Sequence, residues 1–165
     1  MKLAVCAGSF NPVTLGHLDL FERTAEVFDE VVVLLVYNSA KQFEVPVEAR
    51  LALLKKATAH IPNVRVEAHA GLLINYALAH GNAVIVKGLR NEADFAGEMT
   101  MAHANHAGSG GLVGTLFMPT RPELTYVSST IAREFAGYGG DLSKLVPECV
   151  REDVAKLYYK GEWPK

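Results

Sequence analysis

The run Val31-Val32-Val33-Leu34-Leu35-Val36-Tyr37 does most to limit what this chain can become. It is apolar and mostly β-branched, with no polar alternation. That describes a strand covered on both faces, and such strands belong to parallel sheets flanked by helices. Two shorter runs repeat the signal, Leu3-Ala4-Val5-Cys6 and Ala83-Val84-Ile85-Val86. Between the first and the longest, Leu18, Phe21, Ala25 and Phe28 recur at helical spacing among Asp19, Glu22, Arg23 and Glu26. That is an amphipathic helix with one buried face. Strand, helix and strand in succession make one βαβ unit, whose crossover is expected to be right-handed.

The remaining chain continues the alternation. Pro46 to Ala59 reads as a second helix, with Pro near its start and Glu48 in its first turn. Val64 to Ala68 alternates as a short strand, and Gly71 to His80 is a third helix closed by Gly81. Asp94 to Ala107 is helical in pattern, Leu112 to Met118 is a fifth strand, and Pro119 to Tyr126 is a polar connection. Val127 to Arg133 opens another helix that Gly139-Gly140-Asp141 ends; Pro147 to Tyr159 forms a final amphipathic helix before a short tail. The expected fold is α/β, a five-stranded, mostly parallel sheet with a C-terminal helix. The link Gly108-Ser109-Gly110-Gly111 leaves too little chain for a second core, so one domain is expected over residues 1–165.

A net charge of −2 without any run of Lys or Arg gives no electrostatic footprint for nucleic acid. Phosphate binding must then be local, with a few cations focused on one cleft. Cys6 and Cys149 lie far apart and form no C-x-x-C, so no disulfide framework is expected and a reducing compartment fits. Cys6 reads as a small buried hydrophobe. Met1-Lys2 and the short run after it lack a signal peptide's longer apolar region, and no stretch approaches bilayer length. A cytoplasmic protein without a membrane partner is expected.

The chemistry concentrates in Cys6-Ala7-Gly8-Ser9-Phe10-Asn11-Pro12-Val13-Thr14-Leu15-Gly16-His17-Leu18. A strand breaks at Gly8, turns at Asn11-Pro12, and re-enters helical spacing at Gly16-His17. Helix-start N–H groups without intrahelical partners, together with the helix dipole, favour an anion there. His17, in the first turn, can donate to a phosphate oxygen on which charge builds. Lys41 follows the second strand at its carboxyl end, where ligands bind in open α/β sheets. Taken alone it reads equally as a solvated loop lysine. Lys87-Gly88-Leu89-Arg90 ends the fourth strand: Gly88 admits close backbone approach, and Arg90 offers a planar fork of donors. Ser128-Ser129-Thr130 opens a second anion-ready helix start, and the hydroxyls followed by Arg133 favour a phosphate contact over a plain N-cap. His103 and His106 stand at i, i+3 but lack the further ligands a closed metal site needs. His60, His69 and His80 read as surface or loop residues.

The G-S-F-N-P-V-T-L-G-H string resembles the T/H-x-G-H loop of the nucleotidyltransferase superfamily. Adding Lys41, K-G-L-R, D-F-x-x-E-M from Asp94 to Met99, V-S-S-T and G-G-D-L-S-K-L-V-P, nearly the whole chain resembles the phosphopantetheine adenylyltransferases of bacterial coenzyme A synthesis. That resemblance implies a Rossmann-like three-layer αβα fold. It also implies reversible transfer of AMP from ATP to 4′-phosphopantetheine, giving dephospho-coenzyme A and pyrophosphate. Mg²⁺, a homohexamer and coenzyme A as a competing feedback inhibitor come with it.

By position, the resemblance makes His17, Lys41 and Arg90 catalytic. It gives Ser9, Phe10, His17, Gly88, Leu89, Arg90 and Glu98 to ATP, with Leu124, Thr125, Tyr126, Val127, Ser128, Ser129 and Thr130. Ser9, Lys41, Leu73, Lys87 and Asn105 fall to the acceptor. Asn11 stands where many members have Asp, Ala7 where many have Pro, Lys87 where many have Arg, and Gly97 where an aromatic is usual. G-S-F-N-P also occurs in nicotinate-nucleotide adenylyltransferases, the second reading. A non-catalytic ATP-binding module is a third.

Overall fold

The computed structural model describes residues 2–38 and 44–162. Lys41 therefore lies outside the described residues. Strands β1 (Leu3–Gly8), β2 (Glu30–Tyr37), β3 (Val64–Ala70), β4 (Val84–Leu89) and β5 (Thr115–Pro119) form one sheet in the order β3-β2-β1-β4-β5. Every neighbouring pair is parallel, so the mostly parallel sheet expected is parallel throughout. Helices α1 (Leu15–Ala25), α2 (Val47–Thr58), α3 (Leu73–Ala79), α4 (Glu92–Gly108), α5 (Ser129–Gly137) and α6 (Arg151–Tyr158) complete the Rossmann-like fold.

Side chains alternate across a pleated sheet, and here the alternation divides the core in two. Ala4, Cys6, Val31, Val33 and Leu35 face a cluster containing Phe21 of α1, Leu54 of α2, Ala132 of α5 and Val154 of α6. Val5, Val32, Leu34 and Ile85 face the opposite cluster, with Tyr76 and Ala77 of α3. Three layers follow. The residues Val31 to Leu35 are wholly buried, which explains why that run shows no alternation of polarity.

The strand order turns outward in both directions from β1, which pairs with β2 on one side and β4 on the other. A crevice opens beyond the carboxyl ends of the strands at such a reversal. It is bounded by the loop after β1, the end of β4 and the starts of α1 and α5.

The starts of β5 and α6 differ from expectation for identifiable reasons. The last strand starts at Thr115 rather than Leu112, because the segment before it is still turning: Gly110 and Gly111 have positive φ, and the Ser109 hydroxyl accepts from the Val113 N–H. The last helix starts at Arg151, after a 3₁₀ turn over Glu148–Val150 that shares its apolar spacing. Helix α5 ends in a Schellman arrangement: Gly140 N–H donates to the Phe135 carbonyl, Gly139 N–H to that of Ala136, and Gly139 has φ of 71°. No helix among the described residues is long and apolar enough to cross a membrane.

Candidate active site

The crevice holds a cavity of about 360 Å³. Its floor is β1 and β4, through Cys6, Ala7, Gly8, Val86, Lys87 and Gly88; its walls carry Ser9, Phe10, His17, Arg90, Glu98 and Val127 to Thr130. Residues far apart in sequence thus meet at one place. Leu89, Leu73, Asn105, Leu124, Thr125 and Tyr126 do not line this cavity. Leu73 packs against the α3-side core, and Leu124 against the opposite one.

Helix α1 begins with a reciprocal capping box. Thr14 is the N-cap; its hydroxyl accepts from His17 N–H at 3.3 Å, while Thr14 N–H donates to His17 Nδ1 at 3.1 Å. Histidine here takes the place that Glu or Gln fills in the usual capping box. Because Nδ1 accepts, the neutral ring carries its hydrogen on Nε2, which is the donor His17 can offer to a ligand. Burial, reinforced by the positive charges of Arg90 and Lys87, pulls the His17 pKa down to about 4. The ring is therefore a neutral donor at physiological pH, not an acid.

Phe10 braces that ring. Its edge meets His17 at 5.0 Å between centroids and 88° between planes, and Phe21 at 5.5 Å. Phe10 is only 4 % exposed, so its ring serves packing first. The ring folds back over Gly8, where a Cβ would come within 3.2 Å of two of its atoms. The Asn11–Pro12 peptide is cis.

The cations are held by acids from α4. Arg90 grips Asp94 through two bonds, Nε to Oδ2 at 2.7 Å and Nη2 to Oδ1 at 2.9 Å, and its Nη1 donates to the Val127 carbonyl at 3.3 Å. This contact keeps the Asp94 carboxyl below its ordinary range and reinforces the charge on Arg90. Lys87 Nζ donates to the Ala7 carbonyl at 3.3 Å and stands 3.4 Å from Glu98. At α5, Ser128 is the plain N-cap, accepting from Ile131 N–H. Ser129 Oγ donates to the Pro12 carbonyl at 2.7 Å, and Arg133 Nη1 to that of Asn11. These two groups, read from sequence as phosphate contacts, thus hold the β1–α1 loop.

Sequence reasoning placed Thr14 and Asp94 within motifs without giving either a place in the lining, and it missed Thr120. Thr14 was legible as a hydroxyl three residues before His17, and Thr120 as the residue just past β5. Among the described residues no group of three or more His, Cys, Asp or Glu could hold a metal ion. His106 Nδ1 instead lies 3.3 Å from the Val113 carbonyl. Nor are His69 and His80 plain surface residues: both pack on the Tyr76 ring, His80 stacked at 4.0 Å. His60 is exposed beside Glu22.

The cavity thus joins two helix N-termini, a neutral histidine donor and two cations, a set suited to phosphates rather than to covalent chemistry. Residues 5–135 match the family described as cytidylyltransferase-like, a span that includes all of the sheet but the first two residues of β1, and nearly all of α5. The chain belongs to the cytidylyltransferase-like family of nucleotidyltransferases.

Proposed function

We propose that this protein transfers AMP from ATP to 4′-phosphopantetheine, releasing pyrophosphate and forming dephospho-coenzyme A. The observation that carries the reading is one cavity in which His17, Lys87 and Arg90 face the same space between two helix starts. Among the described residues no activated nucleophile lines it: burial pushes the Cys6 thiol up to about 12. Direct in-line attack by the acceptor phosphate on the α-phosphorus of ATP suits such a site, because positioning and charge stabilisation do the work.

In this mechanism His17 Nε2–H donates to the α-phosphoryl oxygens as charge develops there. Lys87 and Lys41 orient the acceptor phosphate, while Arg90 turns its Nη1 from the Val127 carbonyl, and Ser129 its hydroxyl from the Pro12 carbonyl, to the β- and γ-phosphates. The acceptor phosphate is already anionic near neutral pH, so no general base is required. Asp94 and Glu98 are engaged by Arg90 and Lys87, a donor set that fits Mg²⁺ carried on the ATP phosphates rather than held by a protein cage. When bound, the ion neutralises phosphate charge.

The resemblance that names the acceptor also implies a homohexamer. Helix α4 has no buried residue, and Phe95, Met101 and Leu116 are exposed on α4 and β5, which supports assembly of copies through that edge. Coenzyme A is proposed to compete at the acceptor position, and the cytoplasm is the proposed location.

The test is pyrophosphate release from ATP and Mg²⁺ with 4′-phosphopantetheine and, in parallel, with nicotinate mononucleotide. Turnover with the first alone is expected. Turnover with only the second moves the assignment to the nicotinate-nucleotide enzymes. ATP binding without turnover on either leaves a nucleotide-binding module.

A further inference from the structure

The loop between β1 and α1 has an unusual backbone. Phe10 sits at φ of 43°, in the left-handed region that a side chain rarely adopts. Such a conformation persists only where its surroundings over-determine it. Here the loop is held from behind at four points. Arg50 Nη1 on α2 donates to the Ser9 carbonyl at 2.7 Å, and Tyr158 OH on α6 donates to Asn11 Oδ1 at 2.6 Å. Arg133 and Ser129 on α5 take the Asn11 and Pro12 carbonyls.

Arg50 and Tyr158 differ from the other two. Neither is among the described residues lining the cavity, and both are buried, with Arg50 1 % exposed and Tyr158 6 %. A guanidinium is costly to bury, and a well-packed apolar side chain often matches a buried charge for stability. Burial also holds the Arg50 pKa below its ordinary value and raises that of Tyr158. What an apolar side chain lacks is a directed donor. The Arg50 bond fixes the carbonyl of the peptide that enters Phe10, and the Tyr158 bond fixes the side chain of the residue that follows it. The Phe10 ring edge lies against His17, so a turn of this backbone moves the ring that braces the histidine.

We propose that Arg50 and Tyr158 are positioning residues for nucleotidyl transfer: from outside the cavity they hold Ser9 and Asn11 so that Phe10 locks the His17 ring in its donor orientation. The turnover arm of the test rests on the function proposed above; the spectroscopic arm does not.

The clean variant is Tyr158→Phe, which keeps the ring in the core and deletes only the hydroxyl. Arg50→Lys is its companion, retaining charge while losing the fork. Folded fraction is set by circular dichroism, turnover is measured per folded molecule, and the His17 ring nitrogens are followed by ¹H–¹⁵N NMR as pH falls. Tyr158→Phe is expected to lower kcat about tenfold with KM for ATP within about twofold. The His17 resonances should shift or broaden, and its titration should move up from the native value. Arg50→Lys should give a larger loss of kcat in the same pattern. A merely structural role would lower thermal stability and leave kcat per folded molecule and the His17 spectrum native; that result in both variants overturns the proposal. If the wild-type protein does not act on 4′-phosphopantetheine, the function proposed above fails, and the His17 spectra still decide the clamp.

Discussion

His17 is the residue on which most turns, and its chemistry follows from the two bonds it makes with Thr14. Replacing it with Ala removes both the donor and half of the capping box. Replacing it with Gln restores the box, since Gln suits that position, and removes only the imidazole. His17→Ala is expected to fold and to lose a hundred- to a thousandfold in kcat, about 2.7–4 kcal/mol, the usual effect of deleting one such donor; His17→Gln, which keeps an amide donor at a different place, should fold and lose less. ATP affinity, read by calorimetry, should fall far less, and an unchanged kcat would refute the assigned role.

The low His17 pKa also makes a stability prediction. The folded state holds the ring neutral down to about pH 4, whereas the unfolded chain takes up its proton near 6.5. Folding is therefore disfavoured progressively as pH falls from 6.5 toward 4, and the contribution is flat above that window. His17→Gln should lack this slope, which urea midpoints measured between pH 4 and 8 will reveal. The cysteines make a simpler contrast. Cys6 is buried with its thiol pushed up to about 12, and Cys149 is exposed. Iodoacetamide should label Cys149 in the native protein and Cys6 only after unfolding, as peptide mass mapping will read.

At the scale of elements, the β1–α1 turn depends on space as much as on bonds. A Cβ on Gly8 would press on the Phe10 ring, which is packed against His17 and Phe21 and must give by a few tenths of an ångström. Gly8→Ala is expected to cost about 1–3 kcal/mol of stability through overpacking. Its kcat should fall by more than its melting temperature suggests. The elements themselves were legible: the unbroken apolar runs pointed to β1, β2 and β4, helical spacing to α1, and Gly closures to the ends of α3 and α5. Arg50 and Tyr158 were not. In sequence Arg50 sits between apolar residues of an amphipathic helix and Tyr158 near the end of another, while their partners are 41 and 147 residues away. Local spacing carries no trace of such distances. The same limit explains Ser129 and Arg133: their residue types suit a phosphate, and only the fold reveals that a loop carbonyl meets each.

For the whole molecule, the sheet gathers the site where β1 turns its neighbours outward to β2 and β4. The cavity was foreseeable in kind from the sequence, because the motif-bearing segments all follow strands or open helices. The exposed edge was not, since residue type alone does not separate Phe95, Met101 and Leu116 from side chains packed in the core. Leu116, 53 % exposed on the edge strand β5, offers a test of the proposed assembly. Leu116→Lys is expected to fold normally and to sediment as smaller species than the parent protein. Unchanged sedimentation would remove this edge from the interface.

The bond between Tyr158 and Asn11 has a consequence for biogenesis. A nascent chain emerging from a ribosome exposes the β1–α1 loop 147 residues before the hydroxyl that steadies it. Synthesis that stalls before α6 yields a polypeptide carrying every candidate phosphate ligand, yet with that loop short of one brace.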